Sequence, residues 1–125
     1  MNSILIVEDH SDIRRLIRMT LEFAGHGDNV AEASDGDTGL AMARALRPDV
    51  VITDVMMPGA TSGLSLCQTL TSDPAMSGTA IVMISANCRA EDRLAGLEAG
   101  ARAYLVKPFS PLELVKTLEA LGVSA

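Results

Sequence analysis

A chain of 125 residues has the length of one ordinary domain and is short for two. Hydrophobic residues make up 48% of it, enough for a real core and too many for global disorder, and with no Trp, one Tyr and two Phe that core must be aliphatic. The net charge of −6 argues against a general electrostatic grip on nucleic acid, and it raises the question of whether the negative excess is spread out or gathered at a site.

In chain order, Ser3–Val7 reads as a buried strand, a β-branched-rich run stopped by Glu8–Asp9. Ser11 or Asp12 can cap the helix that follows. In it Ile13, Leu16, Ile17, Thr20 and Ala24 fall at helical spacing, with Arg14, Arg15, Arg18 and Glu22 outward, and Gly25 and Gly27 stop it. Asn29–Glu32 is a weak second strand at the sheet's edge. A second helix runs from Asp37 to Leu46, and Pro48 ends that unit. Asp49–Thr53 is a central strand. A turn-rich stretch, Met57–Gly63, leads to a third helix over Leu64–Leu70, and Asp73–Pro74 opens another loop. Ala80–Ile84 is the most apolar strand. Helix Glu91–Ala99 stops at Gly100, strand Ala103–Val106 follows, and the last helix, Leu112–Leu121, is entered through Pro111.

This is five strand–helix units in alternation, with no linker, repeat or low-complexity tract between them. Strands buried on both faces with helical crossovers make a five-stranded parallel sheet, doubly wound, with helices on both faces. Right-handed crossovers place every strand's C-terminal end on one edge, where such folds bind ligands.

The residues at those ends are informative together. The first strand supplies Glu8 and Asp9, the third Asp54, the fourth Ser85 and the fifth Lys107. Two carboxylates ~5 Å apart at an effective dielectric of ~20 repel by about 3 kcal/mol. Three are hard to keep ionised with one lysine among them. A hard divalent cation is the natural complement, and Mg²⁺ suits a few carboxylates with water and phosphate. A metal, a lysine and a hydroxyl around one carboxylate also describe a phosphoryl site with Asp54 as nucleophile. Singly each has a plainer use: Glu8–Asp9 as a strand-ending turn, Ser85 as a helix cap, Lys107 as a solvated loop lysine. Asp54 is harder to dismiss, because a charge ending an apolar central strand costs burial.

The segments Ile4–Asp9, Val50–Pro58, Ile81–Ala86 and Gly100–Phe109 resemble the receiver domain of two-component response regulators, in order and over essentially the whole chain. The resemblance implies a flavodoxin-like sheet of strand order 2-1-3-4-5 and a phosphorylation-dependent signalling switch. It implies that Asp54 accepts a phosphoryl group from a histidine kinase or histidine phosphotransfer protein. Glu8, Asp9, Asp54 and the backbone carbonyl of Met56 would hold Mg²⁺, Lys107 would pair with the phosphate, and Ser85 and Tyr104 would be the switch residues. Lys107–Pro108 would be a cis bond. Output would pass through the fourth helix, fifth strand and fifth helix to a downstream protein target or effector domain. Outside the resemblance, Tyr104 is an ordinary core tyrosine and the methionines are gap fillers. Two features depart from the family pattern: Gly63 stands one residue further from Asp54 than usual, lengthening Pro58–Gly63, and Asn87 and Met56 together assign no phosphoryl lifetime.

The first helix, with Arg14, Arg15, Arg18 and Met19 outward, is a candidate for kinase docking, though a solvated basic face explains it nearly as well. One rival is a haloacid-dehalogenase-type phosphatase, which needs a second Asp where Met56 stands. Another is a scaffold of the same fold that works without phosphorylation. No glycine-rich nucleotide motif follows the first strand. Cys67 and Cys88 read as reduced, buried small hydrophobes. With no secretory signal and no apolar run near ~20 residues, the expectation is a cytoplasmic, non-enzymatic regulator that touches neither membrane nor nucleic acid directly. The whole chain, 1–125, is expected to be a single receiver domain without an effector domain, since only Gly122–Ala125 follow Leu121.

Overall fold

Runs of Ile, Leu and Val bury best when both faces of a strand are covered, and every such run here lies in one sheet. The computed structural model describes residues 3–26, 29–55, 57, 61–86 and 89–122. Among these, β1 (Ile4–Val7), α1 (Ser11–Phe23), β2 (Val30–Ala33), α2 (Gly36–Leu46), β3 (Val50–Asp54), α3 (Gly63–Thr71), β4 (Ala80–Ser85), α4 (Ala90–Glu98), β5 (Ala103–Val106) and α5 (Pro111–Ala120) follow in alternation. The strands pair in parallel in the order β2-β1-β3-β4-β5, as expected. Ile4 stands beside both Val30 and Val50, Val50 beside Ala80, and Val82 beside Ala103.

Alternation along the strands separates two cores. Leu5, Val7, Val51, Ile81, Met83 and Tyr104 pack on one face against Ala43 of α2 and Leu66, Cys67 and Leu70 of α3. Ile4, Ile6, Ile52, Val82, Ile84 and Leu105 pack on the other against Ile17 and Leu21 of α1 and Leu114 and Leu118 of α5. β1, β3 and β4 are buried throughout, which a parallel sheet covered on both sides requires.

Several boundaries differ from the sequence expectation for local reasons. The cap of α1 is His10, in extended conformation, and not Ser11 or Asp12, which already lie in the helix. The buried stripe of α1 runs through Ile17, Thr20 and Leu21, so Leu16 is largely exposed. β2 is Val30–Ala33, one residue later than expected, at the edge. Asp35 caps α2 and Ser62 caps α3, each accepting a backbone N–H two or three positions into its helix. Pro74–Met76 is a 3₁₀ turn capped by Asp73 rather than a plain loop. Ser110 and Glu113 form a reciprocal capping box at the start of α5. Gly25 and Gly100 take left-handed backbone after α1 and α4. Gly27, the other expected stop, lies outside the described residues. Lys107–Pro108 is cis.

Candidate functional site

The rim formed by the C-terminal ends of β1, β3, β4 and β5 gathers the charged residues. β1 ends at Val7, so Glu8 follows directly; its N–H donates to the Ala33 carbonyl at 3.1 Å, and its side chain is buried. Asp54 is the last residue of β3 and is also buried, with Thr53 Oγ1 donating to its carbonyl at 3.0 Å. Ser85 closes β4, 1% exposed, and its carbonyl accepts the Lys107 N–H at 2.7 Å. That bond fastens the lysine to the rim just past β5.

The Lys107 ammonium reaches across the sheet end. Nζ donates to Asp54 Oδ2 at 2.9 Å and to Glu8 Oε1 at 3.0 Å. Burial opposes its charge, but Asp54 and Glu8 outweigh burial and hold Lys107 above its ordinary value. Burial, then contact with Asp9, pushes the Glu8 carboxyl up, while Lys107 and the His10 amide pull it partly back. Burial also opposes charge on Asp9, but Glu8 and the backbone outweigh it, so Asp9 sits below its ordinary value. The two neighbouring carboxylates thus divide one burden: Glu8 holds a proton more readily and Asp9 stays ionised.

Asp9 Oδ1 is buried and accepts no hydrogen bond among the described residues. A buried anionic oxygen without a donor is costly unless a cation meets it. Glu8, Asp9, His10 and Asp54 each offer a ligand atom within 4.8 Å of the others. The donor set therefore fits a divalent cation.

Glu8, Asp9, Asp54, Ser85 and Lys107 come to one rim, as the strand ends implied. His10 joins them and was missed, although it directly follows Glu8–Asp9. Tyr104 lies in β5, opposite Met83 of β4. It is buried on the face toward α4. A Cβ on Gly96 of α4 would stand 3.0 Å from its ring, and the Arg93 guanidinium carbon lies 6.0 Å from the ring centre. Met56, Pro58, Asn87 and Cys88 lie outside the described residues. Gly63 lies at the rim: its N–H donates to the Val55 carbonyl at 2.9 Å, and a Cβ there would overlap the Asp54 carbonyl oxygen.

The basic face expected on α1 is mostly spoken for. Arg14 Nε lies 3.2 Å and Arg18 Nη1 2.7 Å from the Glu32 carboxylate, and Arg14 Nη1 donates to the Glu8 carbonyl at 2.8 Å. Arg15 and Met19 remain exposed. Arg18 also reaches the edge strand's backbone, its Nη1 lying 3.5 Å from the Val30 carbonyl. No helix among the described residues is long and apolar enough to cross a membrane.

The family description "Response regulator receiver domain" matches residues 4–119. The chain is 39% identical over 117 residues to the DNA-binding response regulator MtrA of Mycobacterium tuberculosis, covering 94% of this chain and 49% of that protein. It is 40% identical over 118 residues to the transcriptional regulatory protein ResD of Bacillus subtilis, covering 94% and 47%. The chain thus spans about half the length of these relatives. The chemotaxis protein CheY4 of Vibrio cholerae matches with a TM-score of 0.87 at 36% identity over 97% of this chain and 98% of that one. A response regulator from Chloroflexus aurantiacus matches with a TM-score of 0.89 at 33% identity, covering 96% of each. The names of MtrA and ResD run against the expectation of a partner set without nucleic acid.

Proposed function

The chain belongs to the response-regulator receiver family, and from that premise we propose that Asp54 is the phosphoacceptor of its signalling switch. The observation that carries this reading is the Lys107 ammonium held 2.9 Å from Asp54 on a rim with an orphaned Asp9 oxygen. An Asp54 carboxylate oxygen attacks the phosphorus of a phosphohistidine; the O–P bond forms, the N–P bond breaks, and the imidazole leaves. Lys107, whose Nζ lies 2.9 Å from Asp54, would pair with the incoming phosphoryl oxygens, and Ser85, at the end of β4, would donate to one. Glu8, Asp9 and Asp54 would hold Mg²⁺, with the carbonyl of Met56, which lies outside the described residues, as the further ligand the family resemblance implies. When bound, the ion supplies positive charge against the phosphoryl oxygens.

The same rim accepts phosphoryl groups from small donors and returns them to water, but the chain is a regulator rather than an enzyme with a turnover substrate. Phosphorylation favours inward Ser85 and Tyr104. It is read out at α4, β5 and α5, where α4 buries only Gly96, against Tyr104. Partners are a histidine kinase or phosphotransfer protein on the input side and a downstream protein or effector domain on the output side, in the cytoplasm. The names of MtrA and ResD favour an output that ends at DNA. The phosphatase rival lacks its second Asp, since Met56 stands there.

Intact mass after incubation with Mg²⁺ and a small phosphodonor tests the reading. The wild type gains a labile phosphoryl adduct and Asp54→Asn does not. No adduct on the wild type, or an undiminished one on the variant, overturns it.

A further inference from the structure

Four of the seven large apolar side chains exposed among the described residues share one face of the molecule: Leu16, Met19, Phe23 and Leu112. Leu16, Met19 and Phe23 recur at i, i+3 and i+7, so they form one stripe along α1, beside the buried stripe of Ile17, Thr20 and Leu21. Phe23 is 97% exposed. A groove of about 590 Å³ runs between this stripe and the start of α5, walled by Met19 and Phe23 on one side and Leu112 and Val115 on the other. An apolar patch of this kind, left in water, marks a contact surface.

The chemistry of the face narrows what covers it. A small polar ligand needs a few placed polar groups. Thr20, the one polar side chain among the described residues lining the groove, already donates its hydroxyl to the Leu16 carbonyl at 2.8 Å. A phosphodonor has to bring its histidine to Asp54 at the rim, whereas Phe23 stands roughly 18 Å along α1 from the helix's rim end. The charges beside the stripe carry both signs. Arg15 and Glu22 are exposed and stand at i−4 and i+3 from Met19. Opposite charges on either side of one apolar residue are self-complementary. A two-fold axis near Met19 lays α1 antiparallel on α1 of a second copy, and Arg15 of each copy then stands beside Glu22 of the other. The same operation brings Phe23 of each to Leu16 of the other, where Ile13, Leu16 and Phe109 line a second apolar hollow of about 280 Å³.

We propose that the α1–α5 face is a two-fold contact between copies of this chain, centred on Met19 and formed without phosphorylation. Four exposed apolar side chains per copy place it among small, weak interfaces, below about 1,200 Å² in total.

Sedimentation velocity on the unphosphorylated protein from about 5 to about 500 µM tests this. The wild type should pass from monomer to dimer across that range. Phe23→Asp should weaken the dimer about tenfold or more. Arg15→Glu and Glu22→Arg each set like charges opposite one another and should each weaken it about threefold or more. The double variant exchanges the charges and should return to within about twofold of wild type. Leu94→Asp, on the exposed side of α4, should leave the dimer unchanged. Thermal melts check folding; all these side chains are exposed, so Tm should hold within about 2 °C. A wild type that stays monomeric throughout leaves the face to a different protein and overturns the proposal. So does a dimer that Phe23→Asp leaves intact, or a double variant no better than the single reversals. A dimer lost in Leu94→Asp and kept in Phe23→Asp assigns the contact to α4 and overturns it as well.

Discussion

Replacing Lys107 with methionine keeps most of the stem and removes the charge between Glu8 and Asp54. At 2.9 and 3.0 Å each contact is worth roughly 5–6 kcal/mol of attraction at an effective dielectric of about 20, before the cost of burying the lysine. The net loss is bounded by an escape route, because Glu8 can take up a proton. Holding Glu8 protonated at about pH 7.5 from an ordinary value of 4.5 costs at most about 4 kcal/mol. Burial and Asp9 already raise Glu8, so the expected loss is about 2–4 kcal/mol, within the range seen when one partner of a buried pair is removed. For a chain of 125 residues that lowers Tm by roughly 8–15 °C. The pH dependence has a definite sign. A carboxyl raised in the folded state costs nothing below its unfolded value, and its penalty grows as pH rises through the folded value. Loss of Lys107 raises Glu8 further, so the gap between wild type and variant should be wide at about pH 8 and narrow toward pH 5. Thermal melts in chelator across that range measure it. A Tm within about 2 °C of wild type at pH 8, or a gap that does not change with pH, refutes the reasoning.

Other consequences follow from particular contacts. Gly63→Ala places a Cβ against the Asp54 carbonyl, so it should destabilise by about 2–3 kcal/mol and slow phosphoryl uptake together, read by denaturant melts and adduct formation. Ser110→Ala removes the capping box of α5 and should cost about 1 kcal/mol without changing phosphoryl uptake. Burial pushes the Cys67 thiol up to about 11, and its Sγ lies 3.4 Å from the Ala99 carbonyl. Peptide mapping after alkylation at pH 8 should find Cys67 unmodified in the folded protein and modified once it is unfolded; rapid native labelling would contradict its burial.

What was legible in the sequence was written over short distances. Apolar runs such as Val50–Ile52 and Ile81–Ile84 have the length and β-branched content of buried strands and are bounded by polar or turn residues. The alternation of such runs with amphipathic stretches leaves a parallel sheet covered on both sides, and chirality then sends every strand end to one edge. Glu8, Asp9, Asp54, Ser85 and Lys107 could be placed on one rim for that reason alone, and half of the net −6 belongs to the three acids there. Pairings across long separations were not legible. Lys107 meets Glu8 across 99 positions of sequence, and which carboxylate oxygens it takes depends on strand register. Arg14 and Arg18 looked outward in the helical pattern, yet Glu32 on the edge strand claims them. Leu16 fits the apolar period and stays exposed, because the buried stripe of α1 runs through Ile17, Thr20 and Leu21. His10 carried no signal of its own until the turn after β1 brought its ring against the carboxylates. Local pattern encodes which surfaces must be buried; tertiary packing alone decides which charges then face one another.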